Sequence, residues 1–189
     1  MKCITGALYA NEGEIFVDDA NIQQNPEETK MKIGFLAENN PLYYEMYVRE
    51  YLKFVAQLRK VPSARIEEVI EEVGLEIESH KKIGQLSKGY KQRVGLAQAI
   101  ISSPEILILD EPTNGLDPNQ ILEIRELIKK LGAEKTVILS THIMQEVEAL
   151  CSRVILLNRG EIIADQPIEE FKGQYENLEE AFHQLTQVS

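Results

Sequence analysis

The 189-residue sequence has few cysteines, a shortage of positive charge and no long apolar run. Its two cysteines, Cys3 and Cys151, are too few for a disulfide framework and read as reduced, structural residues. Twenty Lys and Arg stand against 31 Asp and Glu, a formal net charge of −11. A chain with no basic excess has little with which to displace counterions, so no nucleic-acid partner is expected. No apolar run approaches the roughly 18–20 residues of a membrane-spanning helix. Residues 1–6 lack the apolar core of a signal peptide, and neither repeats nor low-complexity tracts occur. These absences point to a soluble cytoplasmic domain. The rest of the composition, 43% hydrophobic and 27% charged, is that of a globular chain able to bury a core.

Periodicity divides the chain. Met1, Ile4 and Leu8 keep helical spacing with no cap before them, so the opening reads as the tail of a helix. Strands are expected at 13–17 and 32–36, with a polar stretch containing Asn25-Pro26 between them. Residues 41–102 are almost all helix and loop. Val48, Tyr51, Leu52, Val55 and Leu58 share one helical face. Ser63 is expected to cap a second helix that stops at Gly74, and a third runs from about Lys88 to Ser102. Strands and helices then alternate: strand 106–109, a helix from Asp117-Pro118, strand 136–139, helix 143–151 and a hairpin across Asn158-Arg159-Gly160. A polar helical tail covers 167–187. The alternation predicts an α/β fold with a parallel sheet covered by helices, and the helical block 41–102 as an inserted lobe.

Four segments carry possible chemistry. In Ile106-Leu107-Ile108-Leu109-Asp110-Glu111-Pro112, two carboxylates stand at the C-terminal end of a buried strand, where open α/β sheets bind ligands. One carboxylate suits Mg²⁺ and the next can polarise a water; the plain alternative is an acidic turn. In Leu86-Ser87-Lys88-Gly89-Tyr90-Lys91-Gln92-Arg93, Ser87 and Gly89 at a helix N-terminus suit a phosphate. The alternative is an ordinary serine cap, although the basic first turn opposes the helix dipole. Ser140-Thr141-His142 ends a strand, and His142 lies beside the acidic strand if the two are neighbours. Asn114-Gly115-Leu116-Asp117-Pro118 leads into a helix that Asp117 can cap, with Gln120 at capping-box spacing.

In this order and within residues 87–142, the four segments together resemble the ATP-binding cassette (ABC) ATPases, and the resemblance runs over essentially the whole chain. It implies a P-loop NTPase-like sheet with an inserted helical subdomain. Leu86 to Tyr90 is similar to the family's signature motif, Ile106 to Glu111 to Walker B, Asn114 to Asp117 to the D-loop, and His142 to the switch histidine. The implied ligands are ATP and Mg²⁺, with Asp110 as metal residue and Glu111 and His142 as catalytic residues. Ser87, Gly89, Glu38 and Asp117 are the implied ATP-contacting residues. The implied partners are a transmembrane permease and a second ATPase subunit facing this one head to tail. The implied place is cytoplasmic, on the inner face of the membrane through the permease. The tail Asn177-Leu178-Glu179-Glu180-Ala181-Phe182 is similar to ABC-2 exporters. The wording of the signature, D-loop and Thr-His-Ile-Met-Gln-Glu-Val-Glu segments resembles gliding-motility-associated ATP-binding subunits. The implied organisation is 1–40 N-terminal core, 41–102 signature subdomain, 103–164 Walker B to switch-histidine core and 165–189 tail.

The departures from that family are specific. No G-x-x-x-x-G-K-S/T occurs, so the loop that cradles phosphates is absent from these residues, with the adenine-stacking aromatic and the strand before the loop. The chain is expected to be a fragment of a longer protein, inactive alone, with strands such as 106–109 left with unpaired edges. The alternative is a non-catalytic half-site partner that completes another cassette's ATP site in trans. Glu38 stands where relatives place the Q-loop Gln, and cannot donate as an amide does. Tyr47 stands where relatives often have a capping Thr.

Overall fold

A computed structural model of the chain describes residues 1–173 and 175–187. Part of the expected 165–189 tail, Gln174 with Val188 and Ser189, lies outside the described residues. The chain forms two compact units, Met1–Ser140 and Thr141–Ser189.

The first unit opens with a single turn. Gly6 N–H donates to Cys3 O at 3.1 Å and Ala7 N–H to Lys2 O at 2.9 Å, the paired bonds with which helices end. The expected helical tail is thus a turn with helix-end hydrogen bonding. Strands β1 (Phe16–Val17) and β2 (Ala20–Asn21) form a short antiparallel pair. The polar stretch after them is a helix, α1 (Pro26–Lys32), which apolar periodicity did not reveal. Proline at its start, two glutamates in its first turn and two lysines in its last favour helix without an apolar stripe.

The scaffold is a three-stranded parallel sheet of β3 (Ile33–Leu36), β4 (Ile106–Asp110) and β5 (Thr136–Ser140), in that order. Strand β4 is therefore central and paired on both sides. Contrary to expectation, the edges belong to β3 and β5. Leu107, Ile108 and Leu109 are fully buried, worth about 1.5–3 kcal/mol each by apolar area. One face packs Ile33 and Ile108 with Val17 and Ile22, against Met1, Ile4 and Ile15.

Helices of the 41–102 block come next: α2 (Val48–Leu58), α3 (Ala64–Glu72) and α4 (Lys88–Ile100). Helix α4 lies directly on β3. A Cβ at Gly34 would collide with the Ala99 carbonyl oxygen and stand 2.9 Å from Pro104 Cγ, so only glycine permits this approach. Ser63 does not cap α3: its backbone is itself helical and its hydroxyl makes no cap bond. The stop at Gly74 holds, with φ +68° and Leu75 N–H returning to Ile70 O at 2.9 Å. The Tyr47 side chain does not cap α2 either; the Glu50 carboxylate accepts from Tyr47 N–H at 3.3 Å instead.

Tyr51 of α2 is 3% exposed and its hydroxyl donates to Gln98 Oε1 of α4. Burial, helped by Tyr43, pushes its phenol up to about 12. The unfolded phenol ionises near 10, so between pH 10 and 12 the unfolded state has released a proton that the folded state keeps, and stability falls as pH rises. Tyr51→Phe should cost about 0.5–1.5 kcal/mol at neutral pH through the lost bond. It should also remove a decline of about 2–3 kcal/mol between pH 10 and 12. Urea titrations of both proteins across that range measure it.

Helix α5 (Pro118–Gly132) follows β4 and buries Ile124, Leu127, Ile128 and Leu131. Arg93 of α4 joins it through Glu123 at 2.6 Å, and donates to Val73 O beyond α3 at 2.6 Å.

The second unit contains α6 (Met144–Leu150), β6 (Arg153–Asn158), β7 (Glu161–Pro167), α7 (Ile168–Lys172) and α8 (Leu178–Gln187). Strands β6 and β7 form the expected hairpin, with Arg159 and Gly160 both at positive φ as its tight turn requires. Leu156, Phe171, Leu178 and Ala181 make its core. Both cysteines are free thiols, and burial, then the Glu146 charge, raises the pKa of Cys151. Among the described residues no helix is long and apolar enough to cross a membrane.

Candidate functional site

The parallel register brings the C-terminal ends of three strands together. Asp110, the last residue of β4, pairs with Ser140, the last of β5, and the Ser140 hydroxyl donates to Asp110 Oδ1. A hydroxyl on one carboxylate oxygen orients the group and leaves lone pairs on the other. Directly after the strand, Glu111 N–H donates to Ser140 O at 3.0 Å. Its own φ is +49°, a left-handed conformation uncommon for a residue with a side chain. Asn114 N–H returns to Glu111 O at 3.2 Å and closes a turn over 111–114. Proline at 112 and buried Thr113 stiffen that turn.

Glu38 reaches the same turn from the neighbouring strand. It lies two residues past the end of β3, and Glu38 Oε1 accepts from Asn114 Nδ2 at 3.3 Å. The structure thus gathers Glu38, Asp110 and Glu111 at one end of the sheet, as three carboxylates presented by adjacent strands. Among the described residues no three His, Cys, Asp or Glu side chains converge closely enough to hold a metal ion by themselves. Magnesium needs no such cluster, because it binds through one or two carboxylates, waters and phosphate oxygens. The hard oxygen donors here fit that ion.

The start of α4 packs on the segment that follows the acidic turn. Ser87 caps α4, its hydroxyl accepting from Tyr90 N–H at 3.4 Å. Gly89 is buried against Gln120 of α5: a Cβ there would lie 2.7 Å from the Gln120 carboxamide carbon. That contact keeps the Gln120 side chain beside α4. Lys88 Nζ lies against Gly115, and buried Gln92 donates through Nε2 to Pro112 O at 2.8 Å. Asp117 accepts from Asn119 and Gln120 N–H at 3.1 Å each, so its carboxylate caps α5. His142 is exposed, two residues beyond the end of β5 in the second unit. There Thr141 Oγ1 donates to fully buried Glu146 at 2.8 Å and accepts from Ile143 N–H at 3.1 Å, so the residues on either side of His142 are tied together.

Sequence reasoning placed Ser140, Asn114 and Gln92 within the four segments but assigned none of them its contact. Their signal was positional: Ser140 ends a strand of the same length and direction as the one ending in Asp110. Gln92 is a polar residue on the inward side of a helix, and such residues are buried only when hydrogen-bonded.

Comparison with known proteins identifies a family. The ABC transporter family profile matches residues 1–114. The ABC transporter ATP-binding protein YdbJ of Bacillus subtilis is 37% identical over 98% of this chain and 64% of its own length. The bacitracin transport ATP-binding protein BcrA of Bacillus licheniformis is 37% identical over 91% of this chain and 57% of its own length. The chain thus spans less than two thirds of either protein. For NatA of Bacillus subtilis, an ABC transporter ATP-binding protein, the figures are 36%, 96% and 73%. A solved structure of an ATP binding subunit of an ABC transporter superposes with a TM-score of 0.86 at 27% identity, covering 98% of this chain and 81% of that one.

Proposed function

This chain belongs to the ABC transporter family, and we propose that it serves as the ATP-hydrolysing part of a bacterial exporter's ATP-binding subunit. The observation that carries the reading is the acidic pair at the end of the central parallel strand, with the first turns of α4 packed on the segment after it. Open parallel sheets bind ligands at that end. Asp110, oriented by Ser140, holds magnesium, which when bound neutralises charge on the phosphate oxygens. Glu111 orients the attacking water and takes up its proton. Glu38, which accepts from Asn114 of that turn, would meet the ion's water shell. His142 contacts the terminal phosphate.

Ser87 and Gly89 offer a hydroxyl and a side-chain-free backbone to the ATP of a second subunit, arranged head to tail. Asp117 holds the intervening loop at that contact by capping α5. The helical lobe 41–102 and the Glu38 segment meet a separate membrane permease, which keeps the subunit on the inner face of the membrane. The relative named as a bacitracin transport ATP-binding protein supports a transport role. The tail Asn177 to Phe182 supports an ABC-2 type of exporter, and the wording of the motifs a gliding-motility-associated subunit.

The signature role has a direct test in a complete protein that carries these residues and a phosphate loop. Ser87→Arg blocks phosphate approach and should cripple hydrolysis, while ATP affinity of the monomer stays within about twofold, since that ATP is held elsewhere. Ser87→Asp keeps the helix cap and sets a like charge against phosphate, so it should be equally inactive without loss of fold. Equal loss of monomer affinity in both variants would assign Ser87 to its own subunit's site.

A further inference from the structure

We propose that Gln92 is a positioning residue: from α4 its carboxamide holds the turn after β4 so that Glu111 keeps its left-handed backbone. The inference rests on the reading of Glu111 as the water-orienting group only for its functional meaning. The geometric claim stands apart from it.

Gln92 is 8% exposed and is the buried polar residue of α4. A carboxamide is kept in such a place only when it is hydrogen-bonded. Its Nε2–H reaches 20 positions along the chain to the carbonyl of Pro112, the residue directly after Glu111. Side-chain-bearing residues persist in the left-handed region only where their surroundings over-determine them. Around Glu111 those surroundings include three hydrogen bonds on the backbone of the turn. The sheet supplies Ser140 O to Glu111 N–H, and the turn itself supplies Asn114 N–H to Glu111 O. Gln92 supplies the third, and it comes from the helix that begins at Ser87.

The contact is not isolated. Lys88, Gly89 and Gln92 lie three and four residues apart, hence on one face of α4. All three meet the stretch 112–120, at Gly115, Gln120 and Pro112 respectively. Helix α4 and the acidic turn are therefore joined along a side-chain seam, and the Gln92 bond is its end nearest Glu111. A displacement of α4 pulls on the Pro112 carbonyl and, through one peptide unit, on the backbone of Glu111.

The test needs no nucleotide. It compares the 189-residue chain with Gln92→Leu, which deletes the donor, and Gln92→Glu, which replaces it with an acceptor at neutral pH. Amide hydrogen exchange and the backbone chemical shifts of Glu111 are read by NMR. At pH 7 both substitutions should lower protection of the Glu111 and Asn114 amides about tenfold. They should also move the Glu111 shifts away from left-handed values, while the Leu107–Leu109 amides stay within about twofold. On acidification toward about pH 4.3 the introduced carboxyl gains a proton and can again donate to Pro112 O, so protection returns in Gln92→Glu and not in Gln92→Leu. Unchanged Glu111 shifts in both variants would overturn the proposal. Loss of strand protection in step with the turn would overturn it too, because Gln92 would then be stabilising the whole unit. Neither outcome depends on whether Glu111 acts in hydrolysis.

Discussion

Glu111→Gln should lower ATP turnover by roughly 10²–10⁴ in a complete protein that joins these residues to a phosphate loop, the range for loss of one positioned base. ATP binding should survive, because the amide fills the same space and Asp110, the residue proposed to hold magnesium, is untouched with its Ser140 partner. The ATP-bound dimer should then accumulate, since closure no longer ends in hydrolysis. The backbone bonds of the left-handed turn, Glu111 N–H to Ser140 O, Asn114 N–H to Glu111 O and Gln92 to Pro112 O, are all kept in the substitution. Phosphate release and gel filtration with ATP measure the two effects. Turnover above about a tenth of wild type would remove Glu111 from the role.

The 189-residue chain by itself should neither bind ATP at millimolar concentration nor release phosphate. Glu38, Asp110 and Glu111 stand at the strand ends, so a polyanion meets three carboxylates. A magnesium ion bridges such a meeting only when backbone N–H groups and a lysine hold the phosphates from the other side. No G-x-x-x-x-G-K-S/T supplies those groups among these residues. The cations that the structure places nearby, Lys88 against Gly115 and Arg93 on Glu123, belong to the face where α4 meets α5. Titration calorimetry with MgATP and a phosphate-release assay measure it. Saturable binding would show a nucleotide site made from other residues, and the reading of the missing loop would fall with it.

The parts legible in the sequence are those with short-range physical causes. Four apolar residues ahead of Asp110 and Glu111 could only be a buried strand, and Asp117-Pro118 could only open a helix, because burial and capping act within a few residues. The hairpin at Arg159-Gly160 and the stop at Gly74 were legible for the same reason, since each demands a backbone that glycine supplies. Helix α1 was not legible: it has no apolar stripe, and its stability comes from a terminal proline and charges matched to the dipole. Ser63 misled because a serine before an apolar helix is a cap only if its own backbone is extended, and here it is helical.

By itself, then, the sequence determined which residues are strand ends, helix starts and turns, and the order of motifs that identifies the family. Tertiary structure alone decided which of them meet. That β4 is central, that Glu38 faces Asn114, that Ser140 orients Asp110 and that Gln92 grips Pro112 are contacts across 20 to 76 residues. Such contacts are set by strand order and by how closely α4 can approach β3 over Gly34, and no local pattern encodes either.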